Sequence, residues 1–167
     1  MGLMRMSKIV FDESVILLDV EAETKEEVLE TVAQNLLDKG LVKESFVPAI
    51  IDREKEFATG LPTAGVSVAI PHTDVEHVNQ KTISVALLKE PVDFVIMGDD
   101  SQTTPVQIVF MLAMDESHSQ LSLLQKLMQV FQNEETLKYL ISQHKKTAIK
   151  NFLEEKLELL ALEGGEK

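Results

Sequence analysis

Val106-Gln107-Ile108-Val109-Phe110-Met111-Leu112-Ala113-Met114 is the stretch on which the prediction of the fold depends. A short apolar run with a single polar residue is typical of a strand that is buried on both faces. The following segment, Ser117 to Phe131, has the apolar period of a helix. Its predicted buried stripe contains Leu121, Leu124, Met128 and Phe131. We therefore predict a central strand that leads directly into a packed helix.

The rest of the chain alternates between strand and helix signals. Strands are predicted at Val15 to Val20, Val66 to Ile70 and Thr82 to Leu88. Helices are predicted at Thr24 to Gly40, Ser45 to Phe57, Glu134 to Ile141 and Thr147 to Leu160. Turns are expected at Gly60-Leu61-Pro62 and around Met97-Gly98-Asp99-Asp100, and the tail after Leu162 is expected to fray. This order predicts one α/β domain over residues 1–167, with a mixed β-sheet flanked by helices on both faces.

Composition limits the possible functions. The chain has no cysteine, which excludes disulfides, thiolate catalysis and sulfur-ligated metals. Its net charge of −12 disfavours nucleic acids and anionic membranes as partners. A basic protein partner fits this charge better, and the alternative is that the acidic residues only keep the protein soluble. The apolar runs are far shorter than the roughly 20 residues of a membrane span. No export signal is recognisable, and we expect a cytoplasmic protein without direct membrane insertion.

Two of the four histidines are predicted to lie at strand ends. His72 follows Val68-Ala69-Ile70-Pro71, where a strand ends and a proline stiffens the backbone. His118 lies between a strand end and a helix start, near the positive end of a helix dipole. Strand ends of one α/β sheet can converge in a crevice. The alternative for each is a hydrogen-bonded loop histidine without chemistry, and this is the interpretation kept for His77 and His144.

Two further patterns admit more than one interpretation. Arg53 has a fork of donors that suits a phosphoryl group, but on sequence alone a surface ion pair with Glu54 or Glu56 is at least as plausible. His72, Asp74 and His77 could be interpreted as a metal cluster of a hydrolase. Their spacing does not match the His-Glu-x-x-His zinc helix, so we expect no metal and no cofactor.

The segments Asp52-Arg53-Glu54, Phe57, Thr59-Gly60 and Val68-Ala69-Ile70-Pro71-His72, followed by His118 and a leucine-rich helix, resemble a known family. It is the fructose–mannitol class of EIIA components (EIIA type 2) of the phosphoenolpyruvate-dependent sugar phosphotransferase system. The likeness covers about residues 12–155. It implies that His72 accepts a phosphoryl group from phospho-HPr and passes it to a cysteine of an EIIB component, which serves the EIIC permease. It also implies that Arg53 and His118 stabilise the phosphoryl group.

Details of the resemblance favour a galactitol-type component. Thr73 stands where the family usually has a smaller residue, the loop Leu61 to Gly65 is longer than in mannitol or fructose members, and Glu76-His77-Val78 follows the active segment. We therefore expect phosphoryl transfer for galactitol-like sugar or polyol uptake. The alternative is a regulatory module of the nitrogen type, in which the phosphorylation state of the same histidine controls protein partners.

Overall fold

A computed structural model describes residues 9–63 and 65–157 of the chain. Five strands are found there: β1 (Ile16–Val20), β2 (Gly60–Leu61), β3 (Ser67–Ala69), β4 (Thr82–Ile96) and β5 (Asp99–Ala113). The helices of the same part are α1 (Lys25–Asp38), α2 (Phe46–Glu56), α3 (Ser117–Phe131), α4 (Glu134–Ile141) and α5 (Lys146–Leu157). The predicted alternation of strands and helices is therefore confirmed.

The five strands form one mixed sheet around the long antiparallel hairpin of β4 and β5. β1 pairs with β4 in parallel, and β3 pairs with β5 in parallel. The short β2 pairs antiparallel with β3, and its Gly60 also lies beside Ile96 near the tip of the hairpin. Because β3 and β5 are parallel, their carboxyl ends meet at the same edge of the sheet. This edge carries the segments that contain His72 and His118.

The sheet is covered on both faces. Every residue from Thr82 to Leu88 is buried, and so is every residue from Ile108 to Ala113. Since successive side chains of a strand point to opposite faces, an uninterrupted buried run requires packing on both sides. Helix α1 packs against β4, and the Phe110 ring of β5 lies 5.1 Å from the Phe131 ring of α3. The predicted sheet with helices on its faces is confirmed.

The predicted bounds are wrong at the hairpin. The sequence predicts a strand that stops at Leu88, whereas β4 continues to Ile96. The middle of β4 is exposed at Lys89, Glu90 and Pro91. The sequence of these residues is typical of a loop, although they belong to the strand. The turn itself is confined to Met97-Gly98, with Gly98 at φ +82°. Gly60-Leu61, predicted as a turn, forms β2 instead.

The predicted buried stripe of α3 is also wrong. Leu121 is 56% exposed and Met128 is 39% exposed, and of the four predicted residues only Phe131 is fully buried. The buried residues of this helix are Leu123, Leu127, Val130 and Phe131. Apolar residues cover about half of the circumference of α3, so the helical period alone does not determine which part of this wide face meets the sheet.

The helix ends follow the sequence signals. Thr24 Oγ1 accepts a hydrogen bond from Glu27 N at 3.2 Å, as predicted for the start of α1, and Gly40 after its end has φ +73°. The final helix is described to Leu157, so the predicted extension to Leu160 and the predicted fraying after Leu162 lie outside the described residues. Among the described helices, none is both long and apolar enough to cross a bilayer.

Candidate functional site

The backbone of His72 is held by pairing with strand β5. β3 ends at Ala69, and the chain continues through Ile70 and Pro71 alongside β5. Leu112 N donates a hydrogen bond to Pro71 O at 3.0 Å, which makes His72 the parallel partner of Leu112. Since Pro71 has no N–H of its own and a fixed φ, this segment has little freedom. The strand end predicted from the sequence therefore presents His72 on a rigid support.

The ring of His72 is held in one orientation. Its Nδ1 lies 2.8 Å from Ile70 O. A carbonyl oxygen only accepts hydrogen bonds, so Nδ1 carries the proton and Nε2 keeps its lone pair. The side chain is half-buried, so Nε2 is the nitrogen available to a reaction partner.

The protonation state of His72 is set by its surroundings. Burial lowers the pKa of His72 below its usual value of 6.5, the hydrogen bond to Ile70 opposes this, and the positive charge of Arg53 lowers the pKa further. The imidazole is therefore neutral near pH 7, as a nitrogen nucleophile must be. The same effect shows that Arg53 lies close enough to His72 to interact with it electrostatically.

Arg53 lies in the last turn of α2. Its Cζ is 4.3 Å from the centroid of the exposed Phe57 ring, a cation–π contact. Its Nε is buried and has no hydrogen-bond partner in the part of the chain that the structure describes. The alternative ion pair with Glu54 or Glu56 does not form among those residues. The guanidinium therefore has donors available for an anion that arrives beside His72.

His118 is the second residue of α3 and is exposed. It follows β5 by a few residues, at the sheet edge to which the segment after β3 also leads. Within residues 9–63 and 65–157 no hydrogen bond or ion pair joins His118 to His72 or Arg53. The charge of Arg53 thus acts on His72, and His118 lies at the same edge without a hydrogen bond or ion pair to either residue in the part of the chain that the structure describes.

The proposed metal cluster is not supported. His77 Nδ1 lies 2.8 Å from Ser45 Oγ, and His77 N⁠ε2 lies 3.8 Å from a carboxylate oxygen of Glu76. No group of three or more histidine, aspartate or glutamate side chains among the described residues is arranged to hold a metal ion. His144 is exposed beside Gln107, in the middle of β5, whereas His72 pairs with Leu112 at the end of that strand.

Sequence reasoning did not assign a role to Glu54. This carboxylate is only 2% exposed, and it accepts hydrogen bonds from Thr59 N and Thr59 Oγ1, both at 2.8 Å. Its helical spacing from Ile50, which is fully buried, was the signal that could have identified it. A charged residue on the buried stripe of an amphipathic helix needs specific partners.

Comparison with known proteins places this geometry in a family. Residues 9–156 match the family model described as phosphoenolpyruvate-dependent sugar phosphotransferase system, EIIA 2. The chain belongs to this family of EIIA domains of the phosphotransferase system. The family predicted from the sequence is therefore confirmed.

Several relatives are much longer than this chain. It is 34% identical over 149 residues to multiphosphoryl transfer protein 2 of Escherichia coli K12, covering 86% of this chain and 17% of that protein. It is 34% identical over 99 residues to the transcriptional regulator ManR of Bacillus subtilis, covering 59% of this chain and 14% of ManR. The galactitol-specific EIIA component of E. coli K12 is 30% identical over 118 residues, which cover 71% of this chain and 78% of that component.

Solved structures share the fold. The mannitol IIA protein of E. coli has 25% sequence identity and a TM-score of 0.66, covering 89% of this chain and 99% of the other. The nitrogen regulatory protein IIA-Ntr of Neisseria meningitidis has 25% identity and a TM-score of 0.67, covering 87% and 95%. The IIA chain in the complex of enzyme IIAMTL with phosphorylated enzyme IIBMTL from E. coli has 23% identity and a TM-score of 0.69, covering 90% and 98%.

Proposed function

We propose that Nε2 of His72 accepts a phosphoryl group from phospho-HPr and passes it to a cysteine of an EIIB component. The observation that carries the proposal is the bond from Nδ1 of His72 to Ile70 O at 2.8 Å, which leaves Nε2 with a free lone pair. Burial and Arg53 keep the ring neutral by lowering its pKa. The proposed domain has its core in about residues 12–155.

The proposed reaction is an in-line displacement at phosphorus. The Nε2 lone pair forms a bond to phosphorus while the bond from phosphorus to the donor nitrogen breaks. In a second displacement the EIIB thiolate forms a bond to phosphorus while the bond from phosphorus to Nε2 breaks, which returns the lone pair to Nε2. Little covalent chemistry is required beyond positioning and charge stabilisation. The unpaired donor of Arg53 and the imidazole of His118 are the proposed stabilising groups, and no metal or cofactor is needed.

The acceptor lies outside these 167 residues, because they contain no cysteine. An EIIB partner is supported by the complex of enzyme IIAMTL with phosphorylated enzyme IIBMTL, whose IIA chain has the same fold. Delivery to an EIIC permease would follow indirectly. We place the reaction in the cytoplasm, with the acidic surface of the chain facing a basic protein donor.

We propose a galactitol-like sugar or polyol as the final acceptor. The support is the galactitol-specific EIIA component, at 30% identity over 71% of this chain. A regulatory role is the second candidate, since IIA-Ntr and the regulator ManR are also similar to this chain. Onward transfer to an EIIB cysteine and then to a sugar favours transport. Phosphorylation without efficient onward transfer favours regulation.

The decisive experiment is phosphorylation of the full chain by phosphoenolpyruvate, enzyme I and HPr, followed by intact mass spectrometry. We expect one acid-labile phosphoryl group on the wild-type protein and none on His72→Ala, because no other imidazole of the described site has the same free, supported Nε2. His77→Ala is the matched control, since His77 contacts Ser45 instead, and it should take up the group normally. A phosphorylated His72→Ala protein would refute the site.

A further inference from the structure

Glu54 is a buried carboxylate that the proposed transfer does not use. It lies beside Arg53 in α2, yet both of its oxygens are occupied by Thr59, at 2.8 Å each. Burial raises the pKa of Glu54 to about 7, and the two bonds from Thr59 and the charge of Lys25 only partly oppose this. Burying a carboxylate costs free energy, and such costly groups are expected at functional sites.

A chain of hydrogen bonds leads from Glu54 to the reactive ring. Glu54 holds Thr59, whose carbonyl oxygen accepts a bond from Ile70 N at 3.4 Å. The carbonyl of Ile70 in turn accepts the bond from Nδ1 of His72 at 2.8 Å. The carboxylate is therefore connected to the carbonyl that orients the imidazole through one intervening residue.

The residue after Thr59 limits the movement of this support. Gly60 packs so closely against the hairpin that an added Cβ would lie 2.6 Å from Val95 O. Its carbonyl accepts a hydrogen bond from Met97 N at 2.8 Å. Thr59 is thus held by Glu54 on one side and by the hairpin on the other, and a shift of its carbonyl requires one of these contacts to break.

We propose that Glu54 is a positioning residue for His72, which acts through Thr59 and Ile70 to hold the ring with Nδ1 protonated and Nε2 presented. This proposal rests on the proposed function of His72. Glu54 would act on the position of the His72 ring and not on its pKa. The pKa of His72 is shifted by burial, by the hydrogen bond to Ile70 and by the charge of Arg53.

The test compares Glu54→Ala with Glu56→Ala in the full chain. Glu56 is an exposed acidic residue of the same helix and is the matched control. For Glu54→Ala we expect phosphoryl uptake to slow by roughly 10- to 100-fold, by analogy with the loss of a hydrogen-bond partner that orients a metal-ligating histidine. For Glu56→Ala we expect the wild-type rate.

A second readout separates positioning from general destabilisation. Nitrogen-15 NMR of the imidazoles should show His72 in a single tautomer with Nδ1 protonated in the wild type, and a mixture of tautomers in Glu54→Ala. Glu54→Gln has an amide that can bond to both groups of Thr59, so it should restore the single tautomer and most of the rate. A folded Glu54→Ala protein with wild-type rate and an unchanged tautomer would overturn the proposal.

The remaining outcomes are also informative. If Glu54→Ala fails to fold, Thr59→Val is the second variant, because it removes only the hydrogen bond from Thr59 Oγ1 to Glu54. Thr59→Ser restores that hydrogen bond and is the control. An unchanged His72 tautomer and an unchanged rate of phosphoryl uptake in Thr59→Val would overturn the proposal. A slow Glu54→Gln protein with the wild-type tautomer would show that charge matters and would equally overturn it. The NMR readout needs no donor, so a wild-type protein that HPr does not phosphorylate would refute the proposed function separately.

Discussion

The segments that follow β3 and β5 leave the same edge of the sheet, but they hold their histidines differently. After β3, His72 is half-buried, its backbone pairs with Leu112 and its Nδ1 is bound to Ile70 O. After β5, His118 is exposed in the first turn of α3, and its cap residue Glu116 forms no capping hydrogen bond to the helix N-terminus. The comparison indicates that the structure orients the imidazole of His72 by a hydrogen bond, whereas no hydrogen bond among the described residues orients that of His118.

The largest effect that would test this difference is expected from His118→Ala. We expect the variant to be phosphorylated to completion, but roughly 10- to 100-fold more slowly, because one charge-assisted hydrogen bond is worth about 1.5–3 kcal/mol. Rapid-quench measurement of phosphoryl uptake gives the rate. His144→Ala removes another exposed histidine, away from this edge, and should leave the rate unchanged. Complete loss of phosphorylation in His118→Ala would contradict the proposed division of roles.

A smaller effect is expected from Arg53→Lys. The lysine keeps the positive charge but loses the fork of donors and the stacking over Phe57, so we expect transfer to slow by roughly tenfold, or about 1.4 kcal/mol. The fold should stay intact by circular dichroism. A rate equal to that of the wild type would remove Arg53 from the site.

The smallest expected effect is the downward shift of the pKa of His72 in the folded protein. Because its pKa is lowered in the folded protein, NMR should show a titration midpoint below 6.5, with more than half of the rings neutral and unprotonated at Nε2 at pH 6.5. Between the folded pKa and 6.5 the unfolded chain binds more protons, so the contribution of His72 to stability rises with pH over that interval. A titration midpoint at or above 6.5 would show that the ring is not held as described.

The elements of the fold could be predicted from the sequence more reliably than their details. The buried strand at Val106 to Met114 and the segment that ends at His72 have local signals, so both are found, although β5 begins already at Asp99 and its exposed first part was predicted as a turn region. The extension of β4 beyond Leu88 has none, because Pro91 and its charged neighbours resemble a loop until the partner strand is known. The buried face of α3 was similarly ambiguous, since its apolar face is wider than the part that is buried.

The candidate residues of the site could be named from their side-chain chemistry and their place in the sequence. The contacts between these residues could not be predicted, because they depend on the folded structure. The lowered pKa of His72 depends on its burial and on the charge of Arg53 in the folded chain, and on sequence alone an ion pair was at least as plausible for Arg53. The bonds between Glu54 and Thr59 were not predicted, because both residues are common at helix ends and in loops, and only burial distinguishes them.

Gly60 has a consequence for how substitutions elsewhere would act on this protein. Its closeness to Val95 and its bond from Met97 tie the hairpin tip to the loop that contains Thr59. We therefore expect the tip and the support of the histidine to be disturbed together by local unfolding. A substitution at the far turn of the hairpin would then reach the proposed phosphorylation site, although the turn contains no proposed reacting group.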